Sequence, residues 1–373
     1  MRMYQLVEGD FDAFFRTPFD CYEQDSRYVS LHRSDLRRLL DTRANPLFAS
    51  RSDLTHFTVQ DNRRCLGRIV AHVHRRSNEL HGLKRSYFGF FDCIDDQRVA
   101  GLLLEAAEGF GRQLGCEEIA GNFNLTAVQP CGVVTEGFDH GPYTDQIYNP
   151  PHIPHLLRAA GYEATFPMST FEVDVSSIDA ADGAGIKASR LLRDPSLSWR
   201  QLRPAYFARQ MSDILHVLND GFARNPMFTP LTPQEFLFQA EPLKWIIDDR
   251  ITPLVYCGNE PVGVILCIPD LNPLLRATRS RFGWNAPYHY ARHWLNRRRA
   301  VIVFYSVVSA FHNHGLNSLN LQLLGQALRK AGYTQLGVTW IGEQNAASLR
   351  QMQKIGARRM HHLHLFHKRL TSG

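Results

Sequence analysis

Apolar and polar positions follow two rhythms along this chain, and the change from one to the other marks its elements. The run Ala300–Val308 has arginines before it and a small-polar stretch after it, and its β-rich composition reads as a buried strand. After the loop Ser309–Ser318, leucines recur at helical spacing (Leu316, Leu319, Leu323, Leu324, Leu328), and Gly332 stops the helix. Gln335 to Ile341 reads as a second strand. Asn345 is placed to cap a short helix that ends at Gly356, and His361 to Lys368 reads as the last strand.

The same order of elements occurs earlier. Tyr87–Cys93 reads as a strand, Val99–Leu114 as a helix ended by Gly115, and Cys116–Phe123 as a strand. A short helix then runs from Asn149-Pro150-Pro151 to Gly161, followed by a strand from Thr170 to Val175. Even the joints agree: Gln113-Leu114-Gly115 parallels Lys330-Ala331-Gly332, and Leu157 to Gly161 parallels Met352 to Gly356. The chain therefore reads as two copies of one α/β unit. Before the first copy, the pattern predicts a strand at Met3–Val7, a helix at Ser34–Leu40 and a hairpin of Leu54–Gln60 with Cys65–Val73. Before the second, it predicts helices over Phe207–Phe222 and Pro233–Ile246 and a hairpin of Thr252–Cys257 with Pro261–Ile268. Ser176–Pro195 is small, polar and charged, which places a domain boundary near Gly183 and gives domains 1–183 and 184–373.

Composition narrows the class. The chain has 373 residues, 44% hydrophobic and 21% charged, enough for two globular domains. No apolar run of about 18 residues is present, and the N-terminus lacks a signal-peptide core, so neither a membrane partner nor export is expected and the location expected is cytoplasmic. Seven scattered cysteines without a CxxC pair point to reduced thiols and away from a zinc site. The histidines at 361, 362, 364 and 367 alternate between strand faces, with no acid or cysteine beside them to complete a ligand set, so no metal is expected. A net charge of +6 is a weak field over two domains and fits a protein that binds an anionic small molecule better than one built for nucleic acid.

The joint between Val308 and Leu316 carries the chemistry. A helix N-terminus leaves backbone N–H groups unpaired and carries positive dipole charge, so it attracts phosphate where a glycine lets the backbone approach. Gly315 is so placed. This stretch resembles the GNAT acyltransferases, which grip the pyrophosphate of acetyl-CoA in a loop reading Gln/Arg-x-x-Gly-x-Gly/Ala. Here the loop is His312-Asn313-His314-Gly315-Leu316-Asn317, which matches at the central Gly and departs at both flanks. The family's second signature, an Asn opening a helix that ends in Tyr-x-Lys-x-Gly-Phe, is matched at Asn345, Lys354 and Gly356, with Met352 where many members carry a catalytic Tyr. Gly137-Phe138-Asp139 and Tyr148-Asn149-Pro150-Pro151 resemble a tandem-GNAT-like group of bacterial proteins.

The resemblance implies two α/β (α+β) GNAT-like domains, each with a mixed, mostly antiparallel twisted sheet flanked by helices. It implies acetyl-CoA or another acyl-CoA as donor in domain 2, its pantetheine arm received by backbone groups of Ser306, Val307 and Val308 and its pyrophosphate by the loop from His312 to Asn317, with Asn345 nearby. Acyl transfer would go to the amine of a small molecule or peptide. Glu343 is the candidate base acting through water, and Ser348 or Tyr305 the candidate acid. In domain 1 the corresponding loop, Ile94–Arg98, has no Gly and carries Asp95 and Asp96, which repel pyrophosphate or cap the helix, so this copy is expected to lack a working CoA loop. Its insert Asn124–Tyr148 is glycine-rich and aromatic, suited to shaping a pocket or forming a structural loop.

Two further readings stay open. From Arg276 to Arg299 there are seven arginines, no acid and five interleaved aromatics. A solvated helix with its aromatic side packed inward accounts for them. So does a phosphate- and base-binding surface, under which the protein would take an aminoacyl group from charged tRNA. Met352 and Asn317 also fit a catalytically inactive ligand-binding module.

Overall fold

The computed structural model describes residues 4–370 apart from 24, 63, 181–189, 282 and 313. Along the chain, β1 (Gln5–Glu8), α1 (Phe11–Cys21), α2 (Arg33–Leu40), β2 (Leu54–Gln60), β3 (Cys65–His72), α3 (Arg75–His81), β4 (Arg85–Cys93), α4 (Gln97–Gln113), β5 (Glu118–Gly121), β6 (Val133–Glu136), α5 (His152–Ala159) and β7 (Glu163–Asp174) come first. There follow β8 (Leu197–Gln201), α6 (Phe207–Gly221), α7 (Pro233–Ala240), β9 (Pro253–Cys257), β10 (Glu260–Pro269), α8 (Asn272–Ala277), α9 (Ala286–Asn296), β11 (Arg299–Val307), α10 (Leu316–Lys330), β12 (Gln335–Gly342), α11 (Ala346–Lys354) and β13 (Arg358–Arg369).

The chain folds into two compact units that a single cut cannot separate. The first holds Met1–Met168, Asn272–His289 and His361–Gly373; the second holds Ser169–Leu271 and Tyr290–Met360. Gly183, where composition places the boundary, lies outside the described residues.

In the first unit the strands run in the order β1-β2-β3-β4-β5-β13, with β6 also on β13. Among the described residues β4 and β5 are its parallel pair, from Arg85–Glu118 to Phe88–Gly121. The C-terminal strand supplies the other neighbour of β5, with Phe366 opposite Gly121 and Arg369 opposite Glu118. Val99, Leu103, Leu104 and Ala107 of α4 pack with Ile69, Phe88, Ile119 and Phe366 in one core. The apolar face read from the sequence is therefore the face that is buried. The short α1 is not visible in the sequence pattern because Pro18 lies inside it, yet Phe14 and Phe15 are fully buried. A proline in its second half removes one N–H bond, and aromatic burial outweighs that loss.

In the second unit the order is β7-β12-β11-β10-β9-β8, where the second half of β7 takes part. Here β11 and β12 are the parallel pair, from Arg299–Gln335 to Ile302–Val338. Leu321, Leu324 and Leu328 of α10 pack with Ile265, Ile302, Leu336 and Met352. The region read as one helix over Pro233–Ile246 is α7 followed by a 3₁₀ turn, Glu241–Trp245. Pro242 explains the break, since it cannot donate within a continuing helix. The repeat extends to its joints: Gly115, Gly161, Gly332 and Gly356 all adopt positive φ after their helices.

Candidate functional site

The two copies treat the same joint in opposite ways. In the first unit Asp96 is the N-cap of α4, and its carboxylate accepts the backbone N–H groups of Arg98 and Val99 at 2.8 and 3.4 Å. Tyr4 donates its hydroxyl to the other oxygen at 2.6 Å. These bonds hold the Asp96 carboxyl below its ordinary range, with the Tyr4 bond the leading cause. The donors a pyrophosphate would use are thus occupied by a fixed negative charge. The side chains of two asparagines also reach β4: Asn124 Oδ1 accepts the N–H of Phe90 at 2.7 Å, and Asn122 Oδ1 accepts that of Phe91 at 3.2 Å.

In the second unit the corresponding helix, α10, starts at Gly315 with φ 89° and no side-chain cap. A residue with a Cβ would be strained there, and a capping acid is missing. The β11–β12 ladder ends at Ile302–Val338, although β11 continues to Val307 and β12 to Gly342. Past the last ladder pair the Thr339 hydroxyl donates to the carbonyl of Val303 at 3.1 Å, and the remaining ends of the two strands are not paired with each other by the ladder.

The other predicted residues are distributed around this joint. The hydroxyl of Tyr305 donates to the carbonyl of Asn317 and accepts Gln351 Nε2 at 3.1 Å. It braces the first turn of α10 against α11, and burial raises its phenol well above the usual range. Ser306 turns the other way, into α6, where its hydroxyl meets the carbonyl of Val217 at 3.4 Å. Val307 takes part in the β10 ladder opposite Gly263, and the Val308 N–H bonds the carbonyl of Val262 at 3.0 Å. His312 Nε2 lies 3.1 Å from the carbonyl of Val307, so its ring closes over the end of β11. The ring of His314 packs edge-on to Phe311 at 6.4 Å, and Leu316 is buried. Asn313 lies outside the described residues. Asp220, at the end of α6, holds the start of the loop by accepting the Ser309 N–H and, at 3.2 Å, its hydroxyl.

Asn345 caps α11 through the N–H of Ser348 at 3.1 Å. Met352 is buried in the core, so this position presents no side chain to a reacting group. Glu343 is exposed just past β12. The structure thus brings Tyr305, Asn317 and Gly315 together, places Asn345 with Ser348, and directs the Ser306 side chain, though not its backbone, into α6. Among the described residues no group of three or more His, Cys, Asp or Glu is placed to hold a metal. His361 bonds the carbonyl of His140 at 3.0 Å, and His367 bonds Glu118 at 2.7 Å.

Of the two roles expected of the insert 124–148, the structure shows the first: it lines a cavity of about 100 Å³ inside the first unit. Tyr28, Arg68, Asn122, Asn124, Asp145 and Asn272 are among its lining residues. Much of its wall comes from the insert 124–148, and α8 closes it: Asn272 Nδ2 donates to the carbonyl of Pro142 at 2.9 Å. Burial pushes the Asp145 carboxyl up to about 7. The available signal was the polar and aromatic density of the insert. Its partner α8, some 130 residues later, carries no such mark.

No protein-family model matches the chain. It is 23% identical to Protein YghO of Escherichia coli (strain K12) over 377 residues, covering 98% of this chain and 94% of that one. It is 24% identical to the bacterial ceramide synthase of Caulobacter vibrioides (strain NA1000 / CB15N) over 358 residues, covering 93% and 92%. Among solved structures, a tandem GNAT protein from the clavulanic acid biosynthesis pathway superposes over all of both chains with a TM-score of 0.60 at 13% identity. No helix among the described residues is long and apolar enough to cross a membrane. With two copies of the unit, a parallel strand pair whose first strand leads into a helix in each, and a full-length structural match, the chain is a tandem GNAT-fold protein.

Proposed function

We propose that the second unit binds an acyl-CoA and that the protein transfers the acyl group to an amine. The observation that carries this reading is the contrast at the repeated joint. The start of α10 is uncapped at Gly315, whereas the start of α4 is closed by Asp96. A diphosphate at Gly315 would gain the backbone donors and dipole of a 15-residue helix without displacing a carboxylate. The pantetheine arm would then lie along the unladdered ends of the two strands, beyond Ile302 and Val338.

The chemistry needs little from side chains. The amine nitrogen bonds to the thioester carbonyl carbon, the C–S bond breaks, and the proton lost by the amine is taken up through water while the thiolate is protonated on leaving. Glu343, exposed at the end of β12, is the proposed base, with Ser348 on the neighbouring helix as a proton donor. Tyr305 is better suited to bracing the loop, because its hydroxyl is bound to Asn317 and Gln351. For the acceptor, likeness to a bacterial ceramide synthase along nearly the whole chain favours a long-chain amine over a peptide.

Thermal stability with acetyl-CoA and with free CoA tests the donor site. A ligand at about 100 times its dissociation constant should add roughly 2.7 kcal/mol. Gly315→Glu should abolish that gain. Gly315→Asn, which tolerates positive φ without adding charge, should keep a measurable part of it. A CoA response that survives Gly315→Glu, or none in the parent protein, sinks the reading.

A further inference from the structure

The arginine- and aromatic-rich segment has an exposed face that the acyl-transfer reading does not use. Among the described residues, its aromatics other than Trp294 are exposed, against the simple expectation of inward packing. Trp284 is 96% exposed, Tyr288 64% and Leu295 83%, and no residue of α9 is buried. Phe282 lies outside the described residues. On a helix, Tyr288, Ala291 and Leu295 share one stripe, and Trp284 precedes it by one turn. Tyr290 donates its hydroxyl to the carbonyl of Trp245 at 3.1 Å, which fixes a second tryptophan, 73% exposed, beside the helix. Exposed tryptophans and a leucine beside one helix are unusual on a protein surface that meets only water.

The charge around this stripe has one sign. Arg297 pairs with Asp248 at 3.0 Å and Arg299 with Asp270 at 3.2 Å. Arg276, Arg279, Arg292 and Arg298 are exposed, and among the described residues none of them has a carboxylate partner. No acid occurs between Arg276 and Arg299. We propose that α9, with Trp284 and Trp245, docks this protein on the surface of an anionic lipid bilayer. The helix would lie in the interface with Trp284, Tyr288 and Leu295 among the acyl chains and the arginines at the headgroups. This departs from the expectation of no membrane partner, which rested on the lack of a spanning segment; a helix lying in the interface needs none.

Two observations favour a bilayer over RNA. Leu295, at the C-terminal end of the exposed stripe and 83% exposed, offers no ring for a base to stack on. The ring of Trp294 is already covered, by Arg297 at 3.6 Å and by Tyr290 stacked at 6.0 Å. The proposal does not depend on the identity of the acyl donor.

Co-sedimentation of the full chain with vesicles of phosphatidylcholine alone, and of equimolar phosphatidylcholine and phosphatidylglycerol, tests it. Binding is expected to the mixed vesicles and to weaken with salt. The double variant Trp284→Ser/Leu295→Ser should weaken it by about tenfold or more. Arg292→Gln and Arg298→Gln should each weaken it about fivefold. All four positions are exposed, so the melting temperature of each variant should match the parent, as should any stabilisation by CoA; these readouts separate failure here from failure of the acyl-CoA reading. No binding to either vesicle, or binding that the variants leave unchanged, overturns the proposal. So does retention of bulk tRNA that the same variants abolish.

Discussion

Asp92→Ala is expected to destabilise the first unit by about 3–5 kcal/mol, read by urea denaturation of the full chain. Arg68 and Asp92 face each other across β3 and β4, and their side chains are 3% and 8% exposed. The guanidinium reaches Asp92 Oδ2 through Nε at 2.8 Å and through a terminal nitrogen at 2.7 Å. Its remaining donors go to the carbonyl of Phe14 at 3.1 Å and the hydroxyl of Tyr28 at 2.9 Å, and its face lies 4.7 Å from the Phe14 ring. Removing the carboxylate leaves a buried cation with neutral partners only, which is the costly way to break such a pair. The pair itself need not be strongly stabilising. Arg68→Met combined with Asp92→Leu should recover most of the loss, and a double variant as unstable as Asp92→Ala would refute this account.

The second large effect is expected at the cavity. Asp145→Asn should stabilise the protein at pH 8 by up to about 4 kcal/mol and should have little effect near pH 4. The sign follows from burial. The Asp145 carboxyl is raised from an ordinary value of 3.8 to about 7, so it stays protonated in the folded chain where the unfolded chain has already lost that proton. The folded state therefore loses stability as pH rises from about 4 to 7, and the deficit is constant above that. Asparagine carries no such deficit and tolerates the φ of 64° found at this position. Buried His72 and His74, lowered by burial to about 3 and 4, act in the opposite direction by favouring the unfolded chain below pH 6.5. Both are present in parent and variant, so their contribution cancels in the difference. A gain at pH 8 no larger than that at pH 4 would show that Asp145 ionises freely in the fold.

Much of the architecture is written in local patterns. The β2–β3 hairpin, the leucine face of α10 and the paired glycines at 115 and 332 depend on neighbours in sequence, and each is where the periodicity puts it. The contrast between the two helix starts was also legible, because Asp96 and Gly315 are residue types with a direct meaning there. Orientation was not. Ser306 and Tyr305 are adjacent on β11, so the pleat sends them to opposite sides, and the resemblance alone does not say which side holds the loop. His312 shows the same limit: its ring bends back to Val307, a choice made by local hydrogen bonding. The exposure of Trp284 and Leu295 was hidden for another reason. An amphipathic pattern reports that an apolar face exists, and it is silent on whether protein covers that face.

The placement of β13 has a consequence for how the protein is made. Gly121 waits for Phe366 and Ile119 for Lys368, partners separated by 245 residues or more. On a ribosome the first half of the chain emerges long before the strand that completes its sheet, and the edge of β5 stays open throughout synthesis of the second repeat. Loop closure over such a distance makes this pairing a late and slow step. Until then the unpaired edge is the part of the nascent chain most prone to wrong association, so a chaperone that shields β5 would act at the point of greatest need. The half that is translated first is the half that finishes folding last.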